Sequence, residues 1–439
     1  MHKKSKSDEL FLVQIDSLSH DGRGVAHRDG KAVFIDGVLP GEQVRFHYTR
    51  RKKSFDEGEV NKIVTVSEQR VTPKCEHFGV CGGCRLQHLS SSMQITLKQD
   101  ILLNNLQRIG HVTPERILPP LVGESWGYRQ KARLGVKYVF KKEKLLVGFR
   151  ERQGRYLADI SQCHVLHPSV GQGLQALAHL IRQLSIYQQI PQVEVAIGDQ
   201  QVALIFRHLA PLTDEDLQQL RVYSEQHHFI IYLQSGGPKT IQQFWPSNAP
   251  ALSYKIADFD VQLDFLPSDF TQVNSSMNNQ MISQAMQLLA PDETDRILEL
   301  FCGLGNFSLP IATKAGHVVA VEGEAQLIQR AHHNAKANGI NNIEFFTHDL
   351  MADFSEASWG QQGFDKMLID PPRSGALHVA QQLHVFQPKR LIYVSCNPAT
   401  LARDAEEIVH KQGYRLTSVG VIDMFPHTAH MESMAVFER

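Results

Sequence analysis

From about Asp269 onward the chain repeats one pattern, a short apolar run followed by a stretch of helical period. The runs fall at 296–300, 317–321, 343–347, 365–369 and 391–395, and the helical stretches at 306–315, 325–338, 377–385 and 400–412. Such alternation predicts a mostly parallel sheet with helices on both faces, because parallel strands need crossover connections. It also predicts where a ligand goes. In an open sheet of this kind ligands bind beyond the carboxyl ends of the strands, near the switch in strand order.

That pattern fills only part of 439 residues, and so long a chain needs more than one core. Between residues 10 and 65, Asp21-Gly22, Asp29-Gly30, Asp36-Gly37 and Pro40-Gly41 separate short strand-like runs. Short strands at this spacing predict a small barrel, and the basic run at 50–53 sits on one of its loops. The middle of the chain reads as α+β. Its segment 128–155 holds ten Lys or Arg against two Glu, with apolar residues alternating at Ala132, Leu134 and Val136. Basic strands paired in a hairpin suit a polyanion such as RNA, although the formal net charge of the whole chain is only −1. The expected fold class is therefore multidomain: an N-terminal OB-like β-barrel (1–68), a central α+β domain (69–267) and a C-terminal Rossmann-like α/β domain (268–439).

No apolar run is long enough for a membrane span, and Lys3, Lys4 and Lys6 lead into no apolar leader. A cytoplasmic protein with no membrane partner is expected. Six cysteines are too sparse for a disulfide scaffold. Three of them cluster as Cys75-x5-Cys81-x2-Cys84, while Cys163, Cys302 and Cys396 stand apart.

Two places carry chemistry. The first strand of the α/β region runs into Phe301-Cys302-Gly303-Leu304-Gly305-Asn306, a turn that lets a ligand approach the backbone closely. Glu322 ends the next strand, where a carboxylate can accept both hydroxyls of a ribose. A dinucleotide site wants a third glycine where Ser308 stands, so a nucleoside ligand without pyrophosphate fits better. The second place is Cys396, just past an apolar strand and followed by Asn397-Pro398. A thiol there can act as a nucleophile, and Glu432 in the last strand offers a base. Uracil C5 becomes nucleophilic once a thiolate has added to C6, and a base must then remove the C5 proton.

Five segments together resemble the RNA 5-methyluridine methyltransferase family: Phe270-Thr271-Gln272-Val273-Asn274, the glycine turn, Asp370-Pro371-Pro372-Arg373-Ser374-Gly375, Ser395-Cys396-Asn397-Pro398 and His430-Met431-Glu432-Ser433. The resemblance implies S-adenosylmethionine as cofactor, held by Gln272, Phe301, Asn306, Glu322, Asp349 and Asp370. It makes Cys396 the nucleophile and Glu432 the base, and leaves Cys302 structural. The N-terminal barrel resembles a TRAM module. Cys75, Cys81, Cys84 and Cys163 resemble the iron–sulfur ligands of the branch acting on bacterial large-subunit (23S) ribosomal RNA. Four thiolates suit a [4Fe–4S] cluster or a structural zinc, and the resemblance favours the cluster. No protein partner is evident.

Rival readings meet obstacles. A radical S-adenosylmethionine enzyme needs a Cys-x3-Cys-x2-Cys run, and here the first gap is five. An amino-group methyltransferase would carry an aromatic residue where Arg373 stands. Another uridine of ribosomal or transfer RNA is an alternative target. A non-catalytic RNA-binding or assembly protein would have no use for Cys396 and Glu432.

Overall fold

Alternation of apolar and polar residues organises the first sheet of the computed structural model, which describes residues 9–352, 354, 357–360 and 363–439. Lys3, Lys4 and Lys6 lie outside that range. The chain divides into two compact units, one of residues 1–101, 150–156 and 425–430, the other of 102–149, 157–424 and 431–439.

In the first unit, β1 (Phe11–Gln14), β2 (Ser17–Leu18), β3 (Gly24–Arg28), β4 (Lys31–Ile35), β5 (Gln43–Arg51) and β6 (Phe55–Thr65) form one sheet in the order β1-β5-β6-β4-β3-β2. It wraps an apolar core to which Val13, Ala26, Val33, Ile35, Val44 and Phe46 contribute from β1, β3, β4 and β5. Gly58 is required where β6 crosses that core, because a Cβ there would meet the Phe46 ring at 2.5 Å. Beneath it the fully buried Glu42 carboxylate accepts from Arg70 Nε at 2.6 Å and from the Leu39 backbone N–H at 2.8 Å. These contacts and burial act in opposite directions, and the hydrogen bonds win, holding the carboxyl below the ordinary range.

The second unit contains two large sheets. Strands β8 (Lys131–Val139), β9 (Lys144–Gly148), β10 (Gln192–Ile197), β11 (Val202–Arg207), β12 (Phe229–Gln234) and β13 (Ile241–Trp245) make one of them, ordered β13-β12-β11-β10-β8-β9. A hairpin, β14 (Leu252–Ile256) with β15 (Val261–Phe265), follows. The other sheet uses β7 (Arg116–Ile117), β16 (Arg296–Leu300), β17 (His317–Glu322), β18 (Ile343–Thr347), β19 (Lys366–Ile369), β20 (Arg390–Ser395), β21 (Arg415–Ile422) and β22 (Glu432–Glu438). Its order is β18-β17-β16-β19-β20-β22-β21-β7. From β18 to β20 all neighbours are parallel; β17, β16, β19 and β20 have buried, mainly apolar interiors, as strands covered on both faces must, while the edge strand β18 stays partly exposed.

The five parallel strands read from the sequence in the carboxyl-terminal region agree to within one residue, but two helices there differ. The stretch 306–315 is helical only over Ser308–Ala312, because the chain first turns through Gly305 at φ +102°. The stretch 377–385 breaks into Leu377–Gln381 and Leu383–Phe386 at Gln382, whose side-chain amide contacts His378 at 2.6 Å.

Candidate active site at the carboxyl edge of the large sheet

The chain runs outward from β16 to β17 and β18, then returns to the other side of β16 for β19 and β20. This reversal is the switch point at which open α/β sheets bind ligands. Because the five strands are parallel, Phe301, Glu322, Asp370 and Cys396 all emerge at one rim. Strand β22 runs antiparallel to β20, so it begins at that rim with Glu432.

Ser395 is paired with Ser433 and Val394 with Met434, and Ser433 Oγ donates to the Ser395 carbonyl at 3.2 Å. The ladder ends there, and Cys396 and Glu432 are the next residues on the two strands, close enough for their side chains to interact electrostatically. Burial, together with the Glu432 and Asp370 carboxyls, pushes the Cys396 thiol up to about 11, while Arg373 pulls it down. Glu432 is itself buried and stands well above the ordinary carboxylate range, raised by burial and by Asp370, with Arg373 again opposing. Asp370, half-buried, is pushed up by burial to about 7. One thiol, two carboxyls and one guanidinium therefore interact at the rim.

The helix Pro398–His410 holds the loop that carries Asp370 and Arg373. Asn397, its N-cap, accepts from Ala399 N at 3.1 Å and donates through Nδ2 to the Arg373 carbonyl at 3.1 Å. Asp404, wholly buried, accepts from the Ala376 N–H at 2.6 Å and the Tyr393 hydroxyl at 2.7 Å. Gly375 must be glycine, since its φ is +78° and a Cβ would meet Asp404 Oδ2 at 2.6 Å.

At the glycine turn, Phe301 has φ +64° and Gly303 +57°, so the chain doubles back under strain at a non-glycine position. The Gly303 N–H donates to Glu322 Oε2 at 3.1 Å, and the Glu324 N–H to Oε1 at 3.1 Å. Each carboxylate oxygen keeps lone pairs for a ligand hydroxyl, and no atom lies within 4 Å of where a Gly303 Cβ would stand. Asn306 is locked in a reciprocal amide pair with Asn278, 2.9 Å in both directions, and accepts from the Tyr254 hydroxyl at 2.9 Å. The turn thus offers a nucleoside-sized ligand a fixed carboxylate, an oriented amide and open space over a glycine.

The family model for tRNA (Uracil-5-)-methyltransferase matches residues 198–439. A 23S rRNA (uracil(1939)-C(5))-methyltransferase of Stenotrophomonas maltophilia is 52% identical over 432 residues, covering 98% of this chain and 97% of that one. The chain belongs to the uracil-C5 RNA methyltransferase family. A relative of the same description from Nitrosococcus oceani is 52% identical over 440 residues, covering 100% of this chain and 98% of that one. The fold is shared with the crystal structure of Pyrococcus abyssi tRNA (uracil-54, C5)-methyltransferase in complex with S-adenosyl-L-homocysteine, at TM-score 0.75 and 24% identity over 97% of this chain and 99% of that one.

Two other expected positions of this family member, Gln272 and Asp349, lie on segments between elements. Gln272 is half-buried in the segment between β15 and the helix Ser275–Leu289, which Asn274 caps by accepting from Met277 N at 3.2 Å. Asp349 is exposed beyond β18, where its carboxylate accepts from the Met351 N–H at 2.9 Å. Cys302 is buried and its thiol is held well above the ordinary range, chiefly by burial, in keeping with an inert packing role. Cys75, Cys81, Cys84 and Cys163 are each half-buried. Among the described residues no three His, Cys, Asp or Glu side chains are gathered in an arrangement that could hold a metal ion. The basic segment does form a hairpin, β8 with β9, but part of its charge is engaged. Lys131 Nζ donates to the Asp269 carbonyl, Arg133 meets Glu194 at 3.0 Å, and Lys142 and Lys144 meet Asp159 at 3.3 and 2.6 Å.

Sequence reasoning left one pair without a role. Glu299 and Ser308 are fully buried together, the hydroxyl donating to the carboxyl across the glycine turn. Burial drives Glu299 well above the ordinary range, with Asp370 and Glu322 adding to it. Ser308 stands where a dinucleotide site would have glycine, and that departure was the available signal.

Proposed function

We propose that this protein methylates C5 of a uridine in 23S ribosomal RNA, using S-adenosylmethionine, at the uracil 1939 position for which its relatives are named. The carrying observation is that Cys396 and Glu432 follow directly on the last β20–β22 pair and interact there, at the rim of the sheet that also bears the glycine turn. The open face of Gly303 and the two-oxygen acceptor Glu322 suit the nucleoside part of the cofactor. Gln272, Phe301, Asn306, Asp349 and Asp370 complete the set we assign to it. When bound, S-adenosylmethionine supplies an electrophilic methyl group.

In the reaction so assigned, the Cys396 thiolate bonds to C6 and the C5–C6 π pair moves towards the C4 carbonyl as an enolate. C5 then takes the methyl group. Glu432, as carboxylate, removes the C5 proton, and the released electron pair restores the double bond while the C6–S bond breaks. Arg373 lowers both the Cys396 and Glu432 proton affinities, so it favours the anions these steps use. The target base must leave its stack for the thiol to reach one ring face.

Cys75, Cys81, Cys84 and Cys163 would hold a [4Fe–4S] cluster with a structural role, zinc being the other group four thiolates suit. The Cys81 sulfur accepts the Gly83 N–H at 3.4 Å, a contact that stabilises a sulfur carrying negative charge. The working division we propose is an RNA-binding barrel over 1–68, cluster and basic strands over 69–267, and methyl transfer over 268–439, in the cytoplasm. Arg51 over Tyr48 at 4.1 Å and Lys52 over Phe55 at 4.2 Å give the barrel the paired cations and rings that single-stranded RNA uses.

The test is incubation of the protein with 23S rRNA containing 5-fluorouridine and methyl-labelled cofactor. Fluorine cannot leave as a proton, so a denaturant-resistant, labelled protein–RNA complex is expected, and none with Cys396→Ala. Labelled free RNA in place of that complex would remove Cys396 from the nucleophile's role.

A further inference from the structure

The connection between β8 and β9 lies outside the rim and ends in an exposed aromatic side chain. Phe140 is 69% exposed at the turn Phe140–Lys142, so most of its apolar area is left in solvent. It stands edge-on to Tyr138 with ring centres 5.0 Å apart, and Tyr138 stands edge-on to Tyr187 at 5.2 Å. The Arg182 guanidinium covers the outer side of this pair, 4.1 Å from the Tyr187 ring centre and 5.1 Å from that of Tyr138. The side chains come from three elements, the hairpin, the helix Leu174–Gln183 and the turn Tyr187–Gln189. The inner rings are thus fixed by their neighbours while the outer one is open.

The charge around them is mainly positive. Lys137, Lys141, Lys142, Lys144 and Arg182 are all exposed. They face Glu143 and Asp159, and Asp159 is held below the ordinary carboxylate range, first by its hydrogen bond from Lys144 and by Lys142 as well. Five cations against two carboxylates leave an excess of positive charge around an exposed ring. A protein partner of ordinary composition would be served by the ring alone. A polyanion whose units carry flat π faces uses both features.

We propose that this hairpin tip binds single-stranded RNA, an unpaired base stacking on Phe140 while Lys141 and Lys142 meet the flanking phosphates. The inference rests on the RNA-methylating function above and names a second contact for the same substrate, separate from the residues assigned to catalysis.

Full-length protein is titrated with a short unstructured uracil-rich RNA, and 5-methyluridine formation in 23S rRNA is followed in parallel. Loss of a base stack weakens binding about fivefold or more, so Phe140→Ala is expected to raise Kd by at least that factor with the salt dependence unchanged. Phe140→Trp should restore binding. Lys141→Ala with Lys142→Ala should reduce the slope of log affinity against log salt by about one to two. In methylation the Phe140→Ala effect should fall on KM. Equal RNA affinity of Phe140→Ala and wild type, no rescue by Trp, or equal competition by a duplex of the same length would overturn the proposal. If wild type forms no 5-methyluridine while RNA affinity still depends on Phe140, the catalytic reading fails and the surface stands. Normal methylation with no dependence on Phe140 fails the surface alone.

Discussion

Asp370 is a place where site and stability conflict, and Asp370→Asn should expose the conflict as a function of pH. Burial lifts this carboxyl from 3.8 to about 7. Its neighbours Glu299, Glu432 and Cys396 are acids that it in turn makes harder to ionise, and Arg373 is the cation opposing them at Cys396 and Glu432. Between those two pH values the folded protein holds a proton that the unfolded chain has released. Wild-type stability therefore falls as pH rises from 3.8 to about 7 and then levels. At about 1.36 kcal/mol per tenfold change in proton affinity, the penalty above neutrality is at most about 4 kcal/mol. Water at the partly exposed face of Asp370 screens the charge, and about half that figure is expected. Asparagine keeps the shape and never ionises. Urea unfolding of both proteins, followed between about pH 4 and about pH 9, should give similar midpoints in acid and a midpoint roughly 1 M higher for Asp370→Asn in alkali. The stabilised variant should at the same time bind S-adenosylmethionine more weakly. A midpoint difference that is flat with pH, or a variant less stable in alkali, would refute the burial argument.

Further outcomes follow from the same geometry. Glu432→Gln removes the carboxylate base at constant shape, so release of methylated RNA should slow about 10²- to 10⁴-fold, and labelled protein–RNA adduct should accumulate on denaturing gels. Release at the wild-type rate would exclude the base role. Gly305→Ala places a Cβ 2.3 Å from Leu309 Cδ1 at φ +102°, and titration calorimetry should show S-adenosylmethionine binding lost with a lowered melting temperature. Ser308→Ala leaves the buried Glu299 carboxyl without its hydroxyl partner and should destabilise folding by about 1–3 kcal/mol, read from chemical denaturation. Metal analysis of anaerobically purified protein should find four iron and four sulfide per chain, while a single zinc would replace the cluster assignment.

The carboxyl-terminal sheet was legible because its parallel strands are short, mainly apolar runs between helical stretches, and β16 and β18 fall on the residues that local pattern indicates. The glycine turn and Glu322 were legible for a related reason: a tight turn after a strand and an acid at the end of the next are local features. Helix limits were less so, since Gly305 and Gln382 adopt conformations set by their packing surroundings. Cys396 and Glu432 could be named from the sequence, yet nothing local makes them neighbours. They stand thirty-six positions apart, and only the antiparallel addition of β22 beside β20 brings them to the same rim. The same holds for the ring cluster of Phe140, Tyr138, Tyr187 and Arg182. Sequence alone determined which groups are present and which elements carry them, because propensity and periodicity act over a few residues. Which groups share a dry space, and hence which hold protons, was decided by strand order and register, because burial and charge act through space.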